Sequence, residues 1–524
     1  MPCSMSFSTS VHALQTLLLS FHPVIVMETV EEERVHSLLQ AATQEMKMAL
    51  FEWSITLGLM RSRAVDHRWV DECAPAGSQK PPTYENTTDP LDMLDYLQEM
   101  PQKGVYWLKD FAKHLNDPIV VRKVREVTQM FSRSTCALVM TGDAVTLPRE
   151  IAHDAVYFDL KLPGRDELHQ TFMEVARALN VKNRIQVELQ SQDIQTLVQA
   201  LSGMTLKQAR QVIAYAALVD GKLTPDDVDR ILERKAQVIR ESGVLEYLPP
   251  TPGNALQWGG FTGLKHWLLR AQVGFTPQAR ALNLRPPRGI LIVGIQGCGK
   301  SLAARAIAQE WKLPLLKLDA SRIYDKYVGE SEKNFQRAIT MAESMAPNVL
   351  WLDEIEKILS GSDNGDSDGG LSRRLFGYFL TWMQEKSQDV FVVATANNIF
   401  QLPPELLRKG RFDEIFYVDL PDPQERETIL KIHLLKRKQA PEQFDLPALV
   451  QATDGFSGAE IEQAVIAALY HALYLNQALD NRLLIAEMKR TIPLSISRRE
   501  DLEQLRAIAR DRFVSAKDSP SPHL

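Results

Sequence analysis

The sequence predicts an α/β fold, in which helices cover both faces of a parallel sheet, and three observations lead to this prediction. Apolar, β-branched runs alternate with helical patterns along much of the 524-residue chain, as they do in parallel sheets. One such run, residues 289–293, leads into a glycine-rich turn and then into a helical pattern. Segments of the N-terminal half also recur, in the same order, in the C-terminal half. We therefore expect two α/β domains.

Composition restricts the classes of function. A chain of 524 residues can hold about three domains of ordinary size. The formal net charge of −6 disfavours a general binder of nucleic acid or of anionic membranes. Cys3, Cys73, Cys136 and Cys298 form no CxxC pair, which is typical of a reducing compartment and predicts no metal cluster. We find no signal-peptide pattern and no apolar run of membrane-spanning length, so we expect a protein that is neither secreted nor membrane-spanning.

The glycine-rich turn has the G-x4-GK[ST] spacing of a phosphate-binding P-loop, from Gly294 to Ser301. Its glycines allow consecutive backbone N–H groups and a helix N-terminus to approach a polyphosphate. Lys300 would reach the β- and γ-phosphates, and the Ser301 hydroxyl would hold Mg²⁺. The alternative is a chance match, but the flanking strand and helix are those that a P-loop requires. The residues predicted to contact the nucleotide here are Gly294, Gln296, Gly297, Cys298, Gly299, Lys300, Ser301 and Leu302.

Two more apolar runs end in polar residues suited to hydrolysis. The first, residues 349–352, is followed by Asp353 and Glu354. Asp353 can hold Mg²⁺ or its water, and Glu354 can orient and deprotonate the attacking water. The second run ends at Asn397, whose amide could position that water against the γ-phosphate. The alternative, an edge strand with solvated acids, fits poorly with the continuously apolar run at 349–352.

Two arginines follow the Asn397 strand in a glycine-containing loop, Arg408 and Arg411. A surface arginine is usually only solvated. The position of this loop directly after Asn397 nevertheless favours a role at a γ-phosphate.

The N-terminal half contains matches to the C-terminal half at nearly the same offset. The matching pairs are residues 105–110 with 349–354, 139–143 with 393–397, 158–163 with 417–421, and 197–214 with 449–466. We infer that residues from about 10 to 240 are a degenerate second copy. In it Lys109 stands where an acid is needed, and acids replace the glycines after residues 23–27. We therefore expect this copy to bind no triphosphate; the alternative is an unrelated α/β domain.

These motifs together resemble those of the AAA ATPases, within the AAA+ superfamily, from about residue 256 to the end. The stretches that carry the resemblance are residues 258–260, 294–301, 349–354, 405–413 and 455–460, together with Asn397. The resemblance implies a P-loop AAA+ module with a small helical lid, preceded by the degenerate AAA+-like domain. It also implies a homo-oligomeric ring, usually a hexamer, in which Arg408 and Arg411 act on ATP bound by the neighbouring subunit.

The resemblance also suggests where the adenine and a protein client would lie. It places adenine near Trp258, Gly259, His433, Gly458 and Ala459, although His433 alone is more typical of a structural histidine. Tyr327 and Val328 match the first pore loop, which grips a polypeptide; the alternative for Tyr327 is a packed core position. The acidic insertion 360–370 fits a second pore loop and a solvated linker about equally well.

The arrangement as a whole is most similar to AAA proteins of unknown function from cyanobacteria and plastid genomes. It implies a ring-forming ATPase, using ATP and Mg²⁺, that remodels or unfolds a protein client in the cytoplasm, or in the plastid stroma if the gene is organellar. The alternative is an ATP-dependent assembly switch or scaffold that a regulatory partner reads; action on nucleic acid is disfavoured. We predict a first domain over 1–245, a linker over 246–255, the ATPase large subdomain over 256–422, the lid with a C-terminal helix over 423–515, and a tail over 516–524.

Overall fold

The computed structural model describes residues 7–62, 84, 86–99, 102–143, 145–181, 185–241, 243–248, 260–319, 323, 330–359, 371–386, 388–408 and 410–517. The chain divides into two compact units, Met1–Ile231 and Leu232–Leu524. Four predicted site residues, Trp258, Gly259, Tyr327 and Val328, lie outside the described residues, as does the insertion 360–370.

The first unit contains a six-stranded sheet in the order β3-β2-β4-β5-β1-β6. Its strands are β1 (Val24–Glu28), β2 (Ala49–Ser54), β3 (Gly58–Arg61), β4 (Gly104–Lys109), β5 (Ala137–Gly142) and β6 (Ala155–Tyr157). β3 pairs antiparallel with β2, and all other pairs are parallel. A small two-stranded sheet joins β7 (Gln186–Val187) to β8 (Lys222–Leu223).

Helices cover both faces of this first sheet. They are α1 (Phe7–Leu19), α2 (Glu32–Glu45), α3 (Pro90–Glu99), α4 (Pro118–Phe131) and α5 (Arg149–Ala152). The next three helices are α6 (Arg165–Val181), α7 (Ser191–Ala200) and α8 (Leu206–Asp220); α7 and α8 pack against α6. Successive strand residues point to opposite faces. Ile25 of β1 therefore packs with α1 and α2, whereas Val26 packs with α3 and α4. α9 (Asp227–Glu241) runs across the division between the units.

The second unit contains a seven-stranded sheet in the order β15-β14-β10-β13-β12-β11-β9. Its strands are β9 (Leu245–Leu248), β10 (Gly289–Gly294), β11 (Leu315–Leu318), β12 (Asn348–Leu352), β13 (Val390–Ala396), β14 (Glu414–Val418) and β15 (Val514–Ser515). Only β9 runs antiparallel among these described strands. β10, β12 and β13 are buried throughout, as parallel strands covered on both faces are.

The two sheets share one topology. Taken in chain order, β1, β2, β4, β5 and β6 of the first sheet correspond to β10, β11, β12, β13 and β14 of the second. In both sheets the spatial order is second, third, fourth, first and fifth strand. Two of the segment pairs that matched in the sequence therefore lie on matching strands, residues 105–110 with 349–354 on β4 and β12, and residues 139–143 with 393–397 on β5 and β13. This shared topology confirms the prediction of a second α/β domain with the same fold.

The helices of the second unit form two groups. Those around the sheet are α10 (Thr262–Gln272), α11 (Pro277–Ala281), α12 (Lys300–Glu310), α13 (Glu330–Ser344), α14 (Ile355–Leu359), α15 (Leu371–Glu385) and, from the C-terminal part, α20 (Leu494–Ser497) and α21 (Arg499–Arg512). The predicted lid consists of α16 (Pro423–Lys436), α17 (Leu446–Ala452), α18 (Gly458–Tyr474) and α19 (Asn481–Arg490), which share a separate apolar core.

The structure differs from the predicted domain limits in three places. The first unit ends at Ile231, whereas the predicted first domain ends at residue 245. The predicted linker begins at Glu246, yet Glu246 lies within β9, where the neighbouring Tyr247 is only 2% exposed and packs in the core of the second unit. The predicted tail begins at Ala516, yet Ala516 is buried and donates from its backbone N–H to Tyr417 O over 2.9 Å. Both segments are ordered because they pair with strands that are distant in the sequence, which local patterns do not reveal.

Candidate active site

The P-loop has the backbone geometry that phosphate binding requires. β10 ends at Gly294, and α12 begins directly after Gly299. Gly297 and Gly299 have φ angles of 84° and 89°, in the left-handed region that favours glycine. A Cβ on Gly297 would also lie 3.0 Å from Ser457 Oγ, so a larger residue would disturb the start of α18. This loop leaves the N-terminus of α12 facing the cleft described below.

Lys300 is the buried cation of the loop. Its side chain is only 6% exposed, and Nζ donates to the carbonyl oxygens of Gly294 and Ile295, each over 2.7 Å. Burial lowers the pKa of Lys300 to about 8, although Cys298 and nearby acids act in the opposite direction. The loop carbonyls thus hold the ammonium group within the turn of the P-loop.

Ser301 and Asp353 lie side by side at the end of β12. Ser301 Oγ donates to Asp353 Oδ1 over 3.5 Å, and Thr395 Oγ1 donates to the same oxygen over 2.8 Å. Lys317 Nζ lies 3.3 Å from the other carboxylate oxygen, Asp353 Oδ2. A hydroxyl and a carboxylate are hard oxygen donors of the kind that Mg²⁺ takes from proteins, with water and phosphate oxygens completing its shell. The residues present therefore fit a Mg²⁺ site.

Glu354 and Asn397 are in direct contact at the ends of adjacent strands. Asn397 Nδ2 donates to Glu354 Oε1 over 2.8 Å, and Lys357 Nζ lies 2.5 Å from Glu354 Oε2. Glu354 has a φ angle of 51° and donates from its backbone N–H to Thr395 Oγ1 over 3.2 Å. This turn directs the Glu354 carboxylate into the same cleft as the P-loop.

Glu356 is a supporting residue that the sequence did not reveal. It is 3% exposed, and its Oε1 accepts a hydrogen bond of 2.8 Å from the Asn397 backbone N–H. Burial raises the pKa of Glu356 despite this bond. The buried carboxyl fixes the backbone at Asn397 and thereby the direction of its amide.

The P-loop from Gln296 to Ser301, Asp353, Glu354 and Asn397 line one cleft of about 900 Å³ in the second unit, whereas Gly294 and Glu356 do not line it. The predicted site residues that line it are Gln296, Gly297, Cys298, Gly299, Lys300, Ser301, Leu302, Asp353, Glu354, Asn397, His433, Gly458 and Ala459. The lining residues that the sequence analysis missed are Phe261, Thr395, Val418, Asp419, Pro421, Glu425, Ile429, Ile432, Leu435, Lys436, Glu462, Ala516 and Lys517. Thr395 could have been found, because residues two apart on a strand share a face.

The lid reaches the P-loop directly. The Ala459 backbone N–H donates to Gly297 O over 3.1 Å at the start of α18. Farther along the cleft, His433 Nδ1 lies 3.4 Å from Glu462 Oε1. Burial lowers the pKa of His433, and the Glu462 charge only partly offsets this. A neutral imidazole beside an apolar wall that includes Ile429 and Ile432 suits a flat aromatic base.

The C-terminal segment forms another wall of the cleft. Ala516 and Lys517 both line it. Lys517 Nζ pairs with Glu425 and donates to Leu420 O over 2.9 Å. The Leu264 backbone N–H donates to Ala516 O over 3.2 Å. The end of the described chain thus joins α10 to the first turn of the lid.

Arg408 and Arg411 lie elsewhere. Arg408 is exposed and Arg411 is half-buried. None of the described residues that line the cleft is an arginine. The structure therefore does not bring these two predicted residues together with the P-loop of the same chain.

The corresponding edge of the first sheet is built differently. Lys109, at the position of Asp353, lies 3.1 Å from Glu52 Oε2 and 3.3 Å from Glu32 Oε2. Glu52 occupies the position of Lys317, because each is paired in register with a tryptophan, Trp107 or Trp351. The ion pair is therefore present in both sheets with its charges exchanged. A cation replaces the carboxylate that would hold Mg²⁺.

Comparisons with known proteins agree with this geometry. Residues 290–420 match the ATPase family associated with various cellular activities (AAA), and residues 443–474 match the AAA+ lid domain. The "Uncharacterized AAA domain-containing protein ycf46" of Guillardia theta is 34% identical over 503 residues, which cover 95% of this chain and 94% of the relative. The chain belongs to the family of ycf46 AAA domain-containing proteins. The ycf46 protein of Pyropia yezoensis is also 34% identical, over 95% of this chain and 97% of its own.

Other matches cover parts of the chain. Residues 10–160 and 166–242 match the N-terminal and second domains of SpoVK-like AAA ATPases. Part of the chain is similar to the proteasome-activating nucleotidase of Aeropyrum pernix, 36% identical over 197 residues, which cover 37% of this chain and 48% of that protein. Across the described residues, the helices are too short or too polar to cross a bilayer.

Proposed function

We propose that this protein binds ATP with Mg²⁺, hydrolyses it in a ring of identical subunits, and uses the energy to remodel or unfold a protein client. One observation carries the proposal. The P-loop, the Ser301–Asp353 pair and the hydrogen-bonded Glu354 and Asn397 meet in a single cleft. Membership of an AAA family supports ATP as the nucleotide.

The proposed chemistry assigns one task to each group. The backbone N–H groups of the P-loop and Lys300 bind the phosphates. The Ser301 hydroxyl and the Asp353 carboxylate would hold Mg²⁺, which would neutralise charge on the phosphate oxygens. Glu354 takes a proton from the attacking water, and Asn397 keeps the carboxylate and that water in line with the γ-phosphate. The proposed base, Glu354, and the phosphate-binding P-loop thus belong to the same chain.

The proposed reaction centre needs a second chain. Arg408 and Arg411 lie outside their own cleft, so we assign them to the γ-phosphate of ATP bound by a neighbouring subunit. An arginine supplied in this way accelerates phosphoryl transfer by about 10³- to 10⁵-fold in other enzymes. A closed ring, a hexamer by resemblance, gives every site one such neighbour.

A protein client is the proposed substrate of the ring. The name of the similar proteasome-activating nucleotidase points to work on proteins. The sequence predicts that Tyr327 and Val328 contact an extended polypeptide. The alternative is a switch, in which ATP sets an assembly state that a partner reads and no polypeptide is threaded.

The experiment traps the ATP-bound state by removing the proposed base. Glu354→Gln should retain ATP and its client together, and the client should be released when ATP is replaced by ADP. Adding Tyr327→Ala to this variant should abolish client retention and leave ATP binding intact. If Tyr327→Ala in the otherwise unchanged chain keeps its full partner-dependent output, threading is wrong and the switch is favoured.

A further inference from the structure

Arg288, directly before β10, holds the loop that carries Arg408 and Arg411. Arg288 Nη1 donates to Gly410 O over 3.0 Å, and Nη2 donates to Gln384 O over 3.1 Å. The guanidinium therefore bridges the loop to the end of α15. Its planar fork suits two carbonyl oxygens at once.

A second contact binds the same loop to the same strand. Asp413 Oδ2 accepts hydrogen bonds from the backbone N–H groups of Arg288 over 2.5 Å and of Gly289 over 2.8 Å. The Asp413 backbone N–H donates in return to Gly289 O over 2.9 Å. Lys386 Nζ donates to Arg288 O over 2.7 Å. Hydrogen bonds thus join the backbone at the start of β10 to the loop that carries Arg408 and Arg411 and to Lys386, directly after α15.

Among the described residues of the loop, the backbone hydrogen bonds of Arg408 and Arg411 are long, at 3.4 Å each. Leu406 and Phe412 are buried and anchor those ends. Between them, Gly410 has a φ angle of 96°, and a Cβ there would meet no atom within 4 Å. The Arg411 backbone N–H donates to Arg408 O over a long distance of 3.4 Å. The direction of Arg408 and Arg411 therefore depends strongly on the contact from Arg288 to Gly410.

We infer that Arg288 is a positioning residue for catalysis in the neighbouring subunit: it fixes the backbone from which Arg408 and Arg411 extend. This inference rests on the proposed role of those two arginines. Arg288 directly precedes the six-residue β10, whose other end is the P-loop, so the two are about 20 Å apart at the rise of a strand. Its loss should therefore leave ATP binding in its own chain intact.

The first measurement compares Arg288→Ala with the parent protein in the full-length oligomer. We expect turnover to fall about 10- to 100-fold, the size of effect that a small misplacement of a catalytic group produces. The Kd for ATP should stay within about twofold of the parent value. Arg288→Lys keeps the charge but lacks the fork, so it should fall between the two. Arg285→Ala, at an exposed arginine on the same segment, should match the parent.

The second measurement assigns the defect to one side of the shared site. Arg288→Ala subunits have an intact P-loop and an intact base. Mixing them with Glu354→Gln subunits should therefore restore turnover, because the Glu354→Gln subunits supply Arg408 and Arg411 from a loop that Arg288 still holds in place. Mixing them with the Arg408→Ala/Arg411→Ala variant should restore nothing. The opposite pattern, or parent-like turnover of Arg288→Ala, would overturn the inference.

Two controls separate the role of Arg288 from a folding defect and from a failure of the shared site. A thermal unfolding curve shows whether Arg288→Ala is folded; if it is not, Arg288→Lys is mixed in its place. The mixture of Glu354→Gln with Arg408→Ala/Arg411→Ala tests the proposed function separately. If these subunits assemble together and turnover stays absent, the shared site itself is wrong, irrespective of Arg288.

Discussion

The amide of Asn397 is hydrogen-bonded to the carboxylate of Glu354 over 2.8 Å, with Nδ2 donating to Oε1. The two side chains come from the ends of neighbouring parallel strands, β12 and β13. The bond leaves Glu354 Oε2 beside Lys357. This contact fixes the orientation of the carboxylate that we propose as the general base.

Replacing Glu354 by Gln should remove hydrolysis and preserve ATP binding. The glutamine oxygen can still accept the bond from Asn397, so the geometry of the cleft is kept while the base is lost. We expect turnover to fall by about 10²- to 10⁴-fold, the usual contribution of a general base, with the Kd for ATP within a few-fold. Hydrolysis at the parent rate, measured as phosphate release, would assign the base elsewhere.

Replacing Asn397 by Ala should lower turnover by about 10- to 100-fold, because Glu354 loses the partner that orients it. Asn398→Ala is the matched control. Asn398 is adjacent and exposed, and its side chain accepts a hydrogen bond from the Phe400 backbone N–H, outside the cleft. Steady-state kinetics of both variants test the role; equal losses in the two would mean that Asn397 acts only through local folding.

Removing residues 514–524 should weaken nucleotide binding, whereas removing only 518–524 should not. The longer truncation deletes β15 together with the cleft residues Ala516 and Lys517 and frees Glu425 from its ion pair. We expect a rise of about tenfold in the Kd for ATP, measured by calorimetry, and a lower unfolding temperature. Equal affinities of the two truncated chains would exclude the C-terminal segment from the site.

Exchanging the charges of Glu52 and Lys109 tests whether this ion pair stabilises the first unit. Lys109→Glu would place its carboxylate beside Glu32 and Glu52, and we expect a loss of about 1–3 kcal/mol in the free energy of unfolding. The double variant Glu52→Lys/Lys109→Glu should recover much of that loss. ATP turnover in the second unit should be unchanged in both. A double variant no more stable than Lys109→Glu would contradict this role.

The same pair gives the first unit a pH dependence. Burial alone would raise the pKa of Glu52, but hydrogen bonds from His36 and Ser62 and the charge of Lys109 outweigh it and lower the pKa from 4.5 to about 2. Because the folded-state pKa is depressed, the stabilisation is complete above pH 4.5 and is lost as the pH falls toward 2. Glu52→Gln should flatten this part of the stability profile, measured by denaturant unfolding.

Much of the fold and of the cleft could be predicted because the relevant patterns are local. A buried strand, a glycine-rich turn and a helix are contiguous around Lys300, and Asp353, Glu354 and Asn397 directly follow apolar strands. Parallel strands end at one edge of a sheet, so their polar ends meet there. The roles of these residues stay predictions until the variants are measured.

The parts that could not be predicted depend on pairing between distant segments. β9 and β15 are short and join the sheet beside strands far away in the sequence. Lys517 reaches the cleft only because the chain returns to β14 after the lid. Arg288 contacts Gly410 across 122 residues, and its own neighbourhood in the sequence gives no sign of that contact.

The sharing of each reaction centre between two subunits is tested most directly by turnover per subunit across a dilution series, with the molar mass followed by light scattering in Mg²⁺ and ATP. We predict that turnover falls in proportion to the loss of oligomer and that the monomer retains less than about one part in 10³. A monomer that hydrolyses ATP at the full rate would contradict the account.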